Sequence, residues 1–295
     1  MTRNPVLLPL LATVAGIGFF SAMDAVMKSA ALAVGAYSAF FLRCVIGFVM
    51  IAPFWWVRTR KWPARSVLRI HLVRGVVVAF MGWSFFFALV RLPLAEAIAL
   101  SFIAPLLALY LAAVLLGETI ERKAIIAALL GLAGVVIIVG GKIGRERLTG
   151  DAGWGLLALA VSALLYAWNL VLQRQQALVA RPSEVSAFQN GIVAFTLLAG
   201  TPFLLVVPET TATWINLATG AALAVAAALF LSWAYARAEA QVLVPIEYTG
   251  FLWAALFGWL LFGEKVTLAT TAGAVLIVIG CWIATRPTRL EQTAI

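Results

Sequence analysis

A chain of 295 residues that is 64% hydrophobic and only 11% charged, with mean hydropathy +1.05, cannot hide its apolar side chains in a water-soluble fold. The formal net charge of +9 would fit a nucleic-acid partner, but the cations stand in short connectors between apolar stretches, as in the cytoplasmic loops of membrane proteins. His71 is the only histidine, and Cys44 and Cys281 lie inside apolar stretches, so no metal, cofactor or disulfide framework is expected.

Ten apolar stretches are predicted to cross the bilayer, at about 6–27, 36–57, 70–90, 95–115, 124–141, 153–173, 184–206, 216–236, 241–262 and 267–285. A helix of roughly 20 apolar residues spans the hydrocarbon layer, and backbone amides in lipid must be satisfied within the segment. The first run continues past Phe20 with no small-residue cleavage site, so it is expected to be a span rather than a signal peptide. With the N-terminus placed in the cytoplasm, 13 Lys and Arg residues fall on the inner side and 6 on the outer, which predicts both termini inside. Arg43 and Arg74 remain within spans.

Polar side chains inside spans are expensive in lipid and face the bundle interior or a wet cavity. In span one, Asp24 and Lys28 are four apart in the favourable order for an ion pair and are gating candidates. The 6–27 boundary puts Asp24 near the outer interface, where Lys28 can also simply reach water. In span two, Arg43 can grip a solute carboxylate with its planar fork or pair with Asp24. Trp83 in span three is a stacking candidate, and Ser101 in span four borders a face of small residues. Pro105 and Pro245 remove backbone donors and are hinge candidates. Span six carries Ser162, Tyr166, Asn169 and Gln173 at spacings of four, three and four, one face of a helix. That stripe reads as the lining of a polar cavity, or as hydrogen-bonding glue between helices. Gln189 in span seven, Ser232 and Tyr235 in span eight and Tyr248 in span nine complete the cavity candidates. Glu247 is a candidate to carry a coupling proton, or a structural acid paired with an arginine or with backbone freed near Pro245.

A shift of 146 residues superposes Arg91 on Arg237, Arg43 on Gln189, Gly117-Glu118 on Gly263-Glu264 and Gly134 on Gly280. Five spans per copy force the second copy to enter the membrane inverted. The expected architecture is an all-α polytopic membrane protein of ten transmembrane helices in two inverted five-helix repeats, 1–145 and 146–295.

The run Pro93-Leu94-Ala95-Glu96-Ala97, with Pro105-Leu106 and Leu115-Leu116-Gly117-Glu118, resembles the end of a repeat in the drug/metabolite transporter superfamily. Pro245-Ile246-Glu247-Tyr248 and Leu260-Leu261-Phe262-Gly263-Glu264 resemble the second repeat of its EamA type. The resemblance covers essentially the whole chain. It implies ten helices around a central cavity, a multi-pass protein of the bacterial inner membrane, and export of amino acids, aromatic ones included. The alternative it implies is uptake of S-adenosylmethionine or nucleotide-like solutes. The partners are then a small-molecule substrate and the lipid bilayer, with no nucleic acid, and one chain suffices as a monomer.

An enzyme is disfavoured, since no Asp-x-x-Asp motif, histidine cluster or Ser/His/Asp set stands on facing spans. A glycine-rich nucleotide loop is also absent, which argues against an ATP-driven pump. The inverted repeat and the proline-broken spans favour a carrier over a channel.

Overall fold

The computed structural model describes residues 7–89, 91, 101, 104–140, 152–262 and 268–284. The motif residues 93–97, Leu100, Phe102, the cationic loop 142–147 and Gly263-Glu264 lie outside the described residues. Every regular element described is helical.

The first helix, α1, runs Leu7–Thr59. At 1.5 Å per residue its 53 residues would extend about 80 Å, far more than a bilayer. It is broken at Gly35, where φ is 81° and ψ 156°, into limbs 7–34 and 36–59. A positive φ of this kind is open to glycine at little steric cost. The expected first boundary near 27 is therefore corrected. Residues 29–34, Ser-Ala-Ala-Leu-Ala-Val, hold no glycine, proline, Asn or Asp, so the helix continues to the break. Asp24 consequently sits about 15 Å short of the helix end rather than near it.

Then come α2 (Arg65–Leu89), α3 (Ala104–Leu116), α4 (Arg122–Gly140), α5 (Ala152–Val179), α6 (Pro182–Leu198) and α7 (Thr211–Tyr235). One turn at Ala240–Leu243 and a 3-10 segment, Val244–Tyr248, lead into α8 (Thr249–Phe262), and α9 (Leu268–Ala284) follows. By length and composition, Leu7–Thr59, Arg65–Ala88, Gly153–Val179 and Thr211–Tyr235 are apolar enough to cross a membrane. Pro105 stands within α3, and Pro245 falls in the 3-10 segment, which separates two α-helical stretches.

Small residues set the helix contacts. Gly16 faces Leu231 and Gly220 faces Met27, so limb 7–34 lies antiparallel to α7. Ser162 Oγ donates to the Met81 carbonyl at 2.9 Å and Arg74 reaches Asn169, so α2 and α5 are likewise antiparallel. Where α4 crosses α9, a Cβ added at Gly134 would sit 2.6 Å from the Gly273 carbonyl oxygen. One added at Gly280 would sit 2.7 Å from the Ala127 carbonyl oxygen. Both backbones meet there at van der Waals distance, which only glycine permits.

The Gly117-Glu118 pair has a mechanical role. Gly117 adopts φ 67° just past the end of α3. Glu118 Oε1 and Oε2 then accept from the backbone N–H groups of Ala240 and Gln241, each at 3.2 Å. Arg174 Nε stands 3.7 Å from Glu118 Oε1, and the Arg174 guanidinium also donates to the Tyr235 carbonyl. A carboxylate thus caps the turn that begins span nine, with a cation behind it.

Candidate functional site

A cavity of about 510 Å³ lies among α1, α2, α5, α6, α7 and the 244–257 segment. Asp24, Lys28, Arg43, Ser101, Ser162, Tyr166, Asn169, Gln173, Gln189 and Glu247 all reach its wall. Phe20, Phe40, Phe85, Phe86 and Phe257 supply much of its apolar surface. The polar groups therefore converge from both halves of the chain into a largely apolar chamber of small-molecule size.

Span six serves both of its expected uses at once. Tyr166 donates from its hydroxyl to Glu247 Oε2 at 2.7 Å, and Tyr235 donates to Oε1 at 3.2 Å. Glu247 is thus held by two tyrosine hydroxyls rather than by an arginine or by freed backbone. Asn169 Oδ1 and Gln173 Oε1 accept from Arg74 at 3.0 and 2.6 Å. Four side chains of one helical face therefore glue α5 to α2 and to span nine while bordering the cavity.

Arg43 is buried on the wall. Its Nη2 donates to Cys44 Sγ at 3.2 Å, and its guanidinium carbon stands 5.0 Å from the Phe40 ring centroid. Its Nε has no hydrogen-bond partner, nor has Gln189 Oε1. Its charge acts on Asp24, but no ion pair joins the two among the described residues.

Four candidates stand off the cavity wall. Trp83 packs edge-on against Tyr37 at 6.0 Å, and Ser232 is buried in α7. Tyr235 reaches the site only through Glu247. Tyr248, a cavity candidate, is instead fully buried with its ring against Gly131 of α4, off the cavity wall.

Sequence reasoning missed Arg74. It is 4% exposed and lines the cavity floor beside Gln173. Behind it, Gln176 accepts from Arg74 through Oε1 and donates to His71 Nδ1. That leaves His71 Nε2 to donate to Glu184 Oε1 at 3.1 Å. Glu184 sits in the first turn of α6, behind Pro182, where the helix dipole favours an acid. His71 also stacks on Phe188 at 4.6 Å. This relay closes α2, α5 and α6 together at one end of the cavity. The available signal was His71 three residues before Arg74, one polar face in an otherwise apolar span.

The EamA-like transporter family model matches twice, over residues 7–140 and 153–286. The chain belongs to this family. Among EamA-like relatives, the pseudopaline exporter CntI of Pseudomonas aeruginosa is 29% identical over 287 residues, 95% of each chain. The S-adenosylmethionine uptake transporter of Rickettsia felis is 23% identical over 89% of this chain and 90% of its own. The aromatic amino acid exporter YddG of Ancylobacter novellus is 32% identical over 44% of this chain and 43% of its own. A solved crystal structure, 23% identical, covers 94% of this chain and 98% of its own with a TM-score of 0.78, so the fold is shared. As a member of this family the chain is a membrane transporter of small molecules.

Proposed function

We propose that this chain is a secondary carrier that exports amino acids, aromatic and other neutral ones, and related small metabolites by alternating access. The observation that carries the reading is a cavity with polar residues converging from both halves: Asp24, Arg43 and Arg74 from the first, Tyr166, Gln173 and Glu247 from the second. Its acids and cations suit the two ends of a zwitterion, and its phenylalanines suit an apolar side chain. Two of the relatives above are named as exporters.

In this reading the chain forms ten spans in two inverted copies, 1–145 and 146–295. Limbs 7–34 and 36–59 count as two spans, and the turns at 240–248 open the ninth. The glycine crossing supports the inversion. A shift of 146 exchanges Gly134 for Gly280 and Gly273 for Ala127, and each contact maps onto the other. Both termini face the cytoplasm by the Lys and Arg bias, in a bacterial inner membrane. The cavity lies within one chain, which supports a working monomer. Pro105 and Pro245 act as hinges, Asp24 and Lys28 gate the cavity, and Glu247 carries a coupling proton.

The test is uptake of labelled amino acids into liposomes bearing the purified protein, at equal and unequal pH. Saturable movement of phenylalanine and other neutral amino acids is the expected result. Movement of S-adenosylmethionine with no amino acid moved overturns the proposed cargo and favours the uptake alternative.

A further inference from the structure

We propose that Arg74 and Gln173 form the seat for a carboxylate of the carried solute, which makes the carboxylate, rather than the ammonium or the side chain, the group this carrier requires. The inference rests on the carrier reading and specifies its cargo.

Arg74 is a buried cation in a membrane helix, a placement that demands a compensating partner. Among the described residues no carboxylate stands within ion-pair distance of it. Glu184 is engaged with His71, Glu118 with Arg174 and the 240–241 backbone, and Glu247 with two tyrosine hydroxyls, while Asp24, on the same cavity wall, forms no ion pair with Arg74. Only the neutral amide oxygens of Asn169, Gln173 and Gln176 surround the guanidinium. A guanidinium has five N–H donors, of which these three take one each, leaving two.

Gln173 adds a further donor. Its Oε1 is turned to Arg74, and its Nε2 is buried with no partner. Arg43 Nε, on the same wall, is also buried and unpartnered. Orphaned buried donors are rare in folded proteins and call for an acceptor. Arg74 itself has only neutral amide oxygens as partners, so its positive charge is unmatched by any ion pair among the described residues. A planar anion with two oxygens answers the donor surplus and the charge together.

The test measures ligand-induced thermal stabilisation of the full chain in lipid nanodiscs. The probes are phenylalanine, 3-phenylpropionate, phenylalaninamide, phenethylamine, succinate, chloride and inorganic phosphate. Phenylalanine and 3-phenylpropionate should stabilise the wild type, with the amide and the amine at least about tenfold weaker. Gln173→Glu supplies Arg74 with a carboxylate from the protein itself. It should fold at least as stably as wild type and lose about tenfold or more in carboxylate affinity. Arg74→Lys keeps the charge without the fork and should also weaken the acids. Equal binding of amide and acid, or undiminished acid binding in a folded Gln173→Glu, overturns the seat. So does chloride or phosphate acting as strongly as the carboxylates, or no carboxylate binding at all. Binding of 3-phenylpropionate or succinate but of no amino acid, lost in Gln173→Glu, keeps the seat and overturns the amino-acid reading instead.

Discussion

The hydroxyl of Tyr166 stands 2.7 Å from Oε2 of Glu247, joining the polar stripe of α5 to the non-α-helical start of span nine. With Tyr235 on the other oxygen, the carboxyl group is fixed from two helices. Any motion that carries the Pro245 segment away from α5 must break this contact. Tyr166→Phe removes it with little change of shape and should destabilise the packing of the Pro245 segment on α5 by about 1–3 kcal/mol. The check is the unfolding temperature together with the transport rate, and unchanged values for both would free Glu247 from this restraint. Glu247→Gln keeps both hydroxyl contacts possible but cannot release a proton. Flux into liposomes should survive in it and lose its response to a pH gradient.

Glu118 is a cap for another segment's first turn rather than a surface acid. Glu118→Ala should cost about 1–2 kcal/mol through the lost cap, and more if Arg174 is stranded. Thermal unfolding of purified protein measures it. Glu118→Gln retains one acceptor and should fall between the two.

The α4–α9 crossing tolerates no side chain. Gly280→Ala places a methyl group 2.7 Å from the Ala127 carbonyl, and Gly134→Ala does the same 2.6 Å from that of Gly273. Each should destabilise by about 1–3 kcal/mol, since the obstacle is backbone on both sides. Gly153→Ala in α5 is the control, because nothing lies within 4 Å of its added Cβ, and it should be neutral or slightly stabilising.

The orientation has its own check. In a protein freed of Cys44 and Cys281, Lys28→Cys should react with a membrane-impermeant thiol reagent from outside the cell. Gln176→Cys, behind Arg74 and fully buried, should not. Reaction of position 28 only in inside-out vesicles would reverse the assigned topology.

The apolar helices and the polar stripe of α5 were legible because each follows from local pattern. Apolar length sets a crossing, and spacings of four, three and four set a face. Ser162, Tyr166, Asn169 and Gln173 could be assembled from their numbers alone. Arg74 could not, because its partners on α5 lie 95 to 102 residues away and become neighbours only when α2 and α5 pack. Tyr248 misled for the converse reason. An aromatic ring in a central span looks the same in sequence whether a solute or Gly131 takes its face. The end of the first span was overlooked because a helix without a stop signal runs on until geometry, here Gly35, ends it.

That break joins two helical limbs through one residue. With φ at 81° and nothing within 4 Å of the position where a Cβ would stand, Gly35 acts as a bare pivot with no slack on either side. Limb 7–34 bears Asp24 and limb 36–59 bears Arg43, so the two opposite charges ride on one lever. Turning either limb about Gly35 would change the distance between Asp24 and Arg43 on the cavity wall.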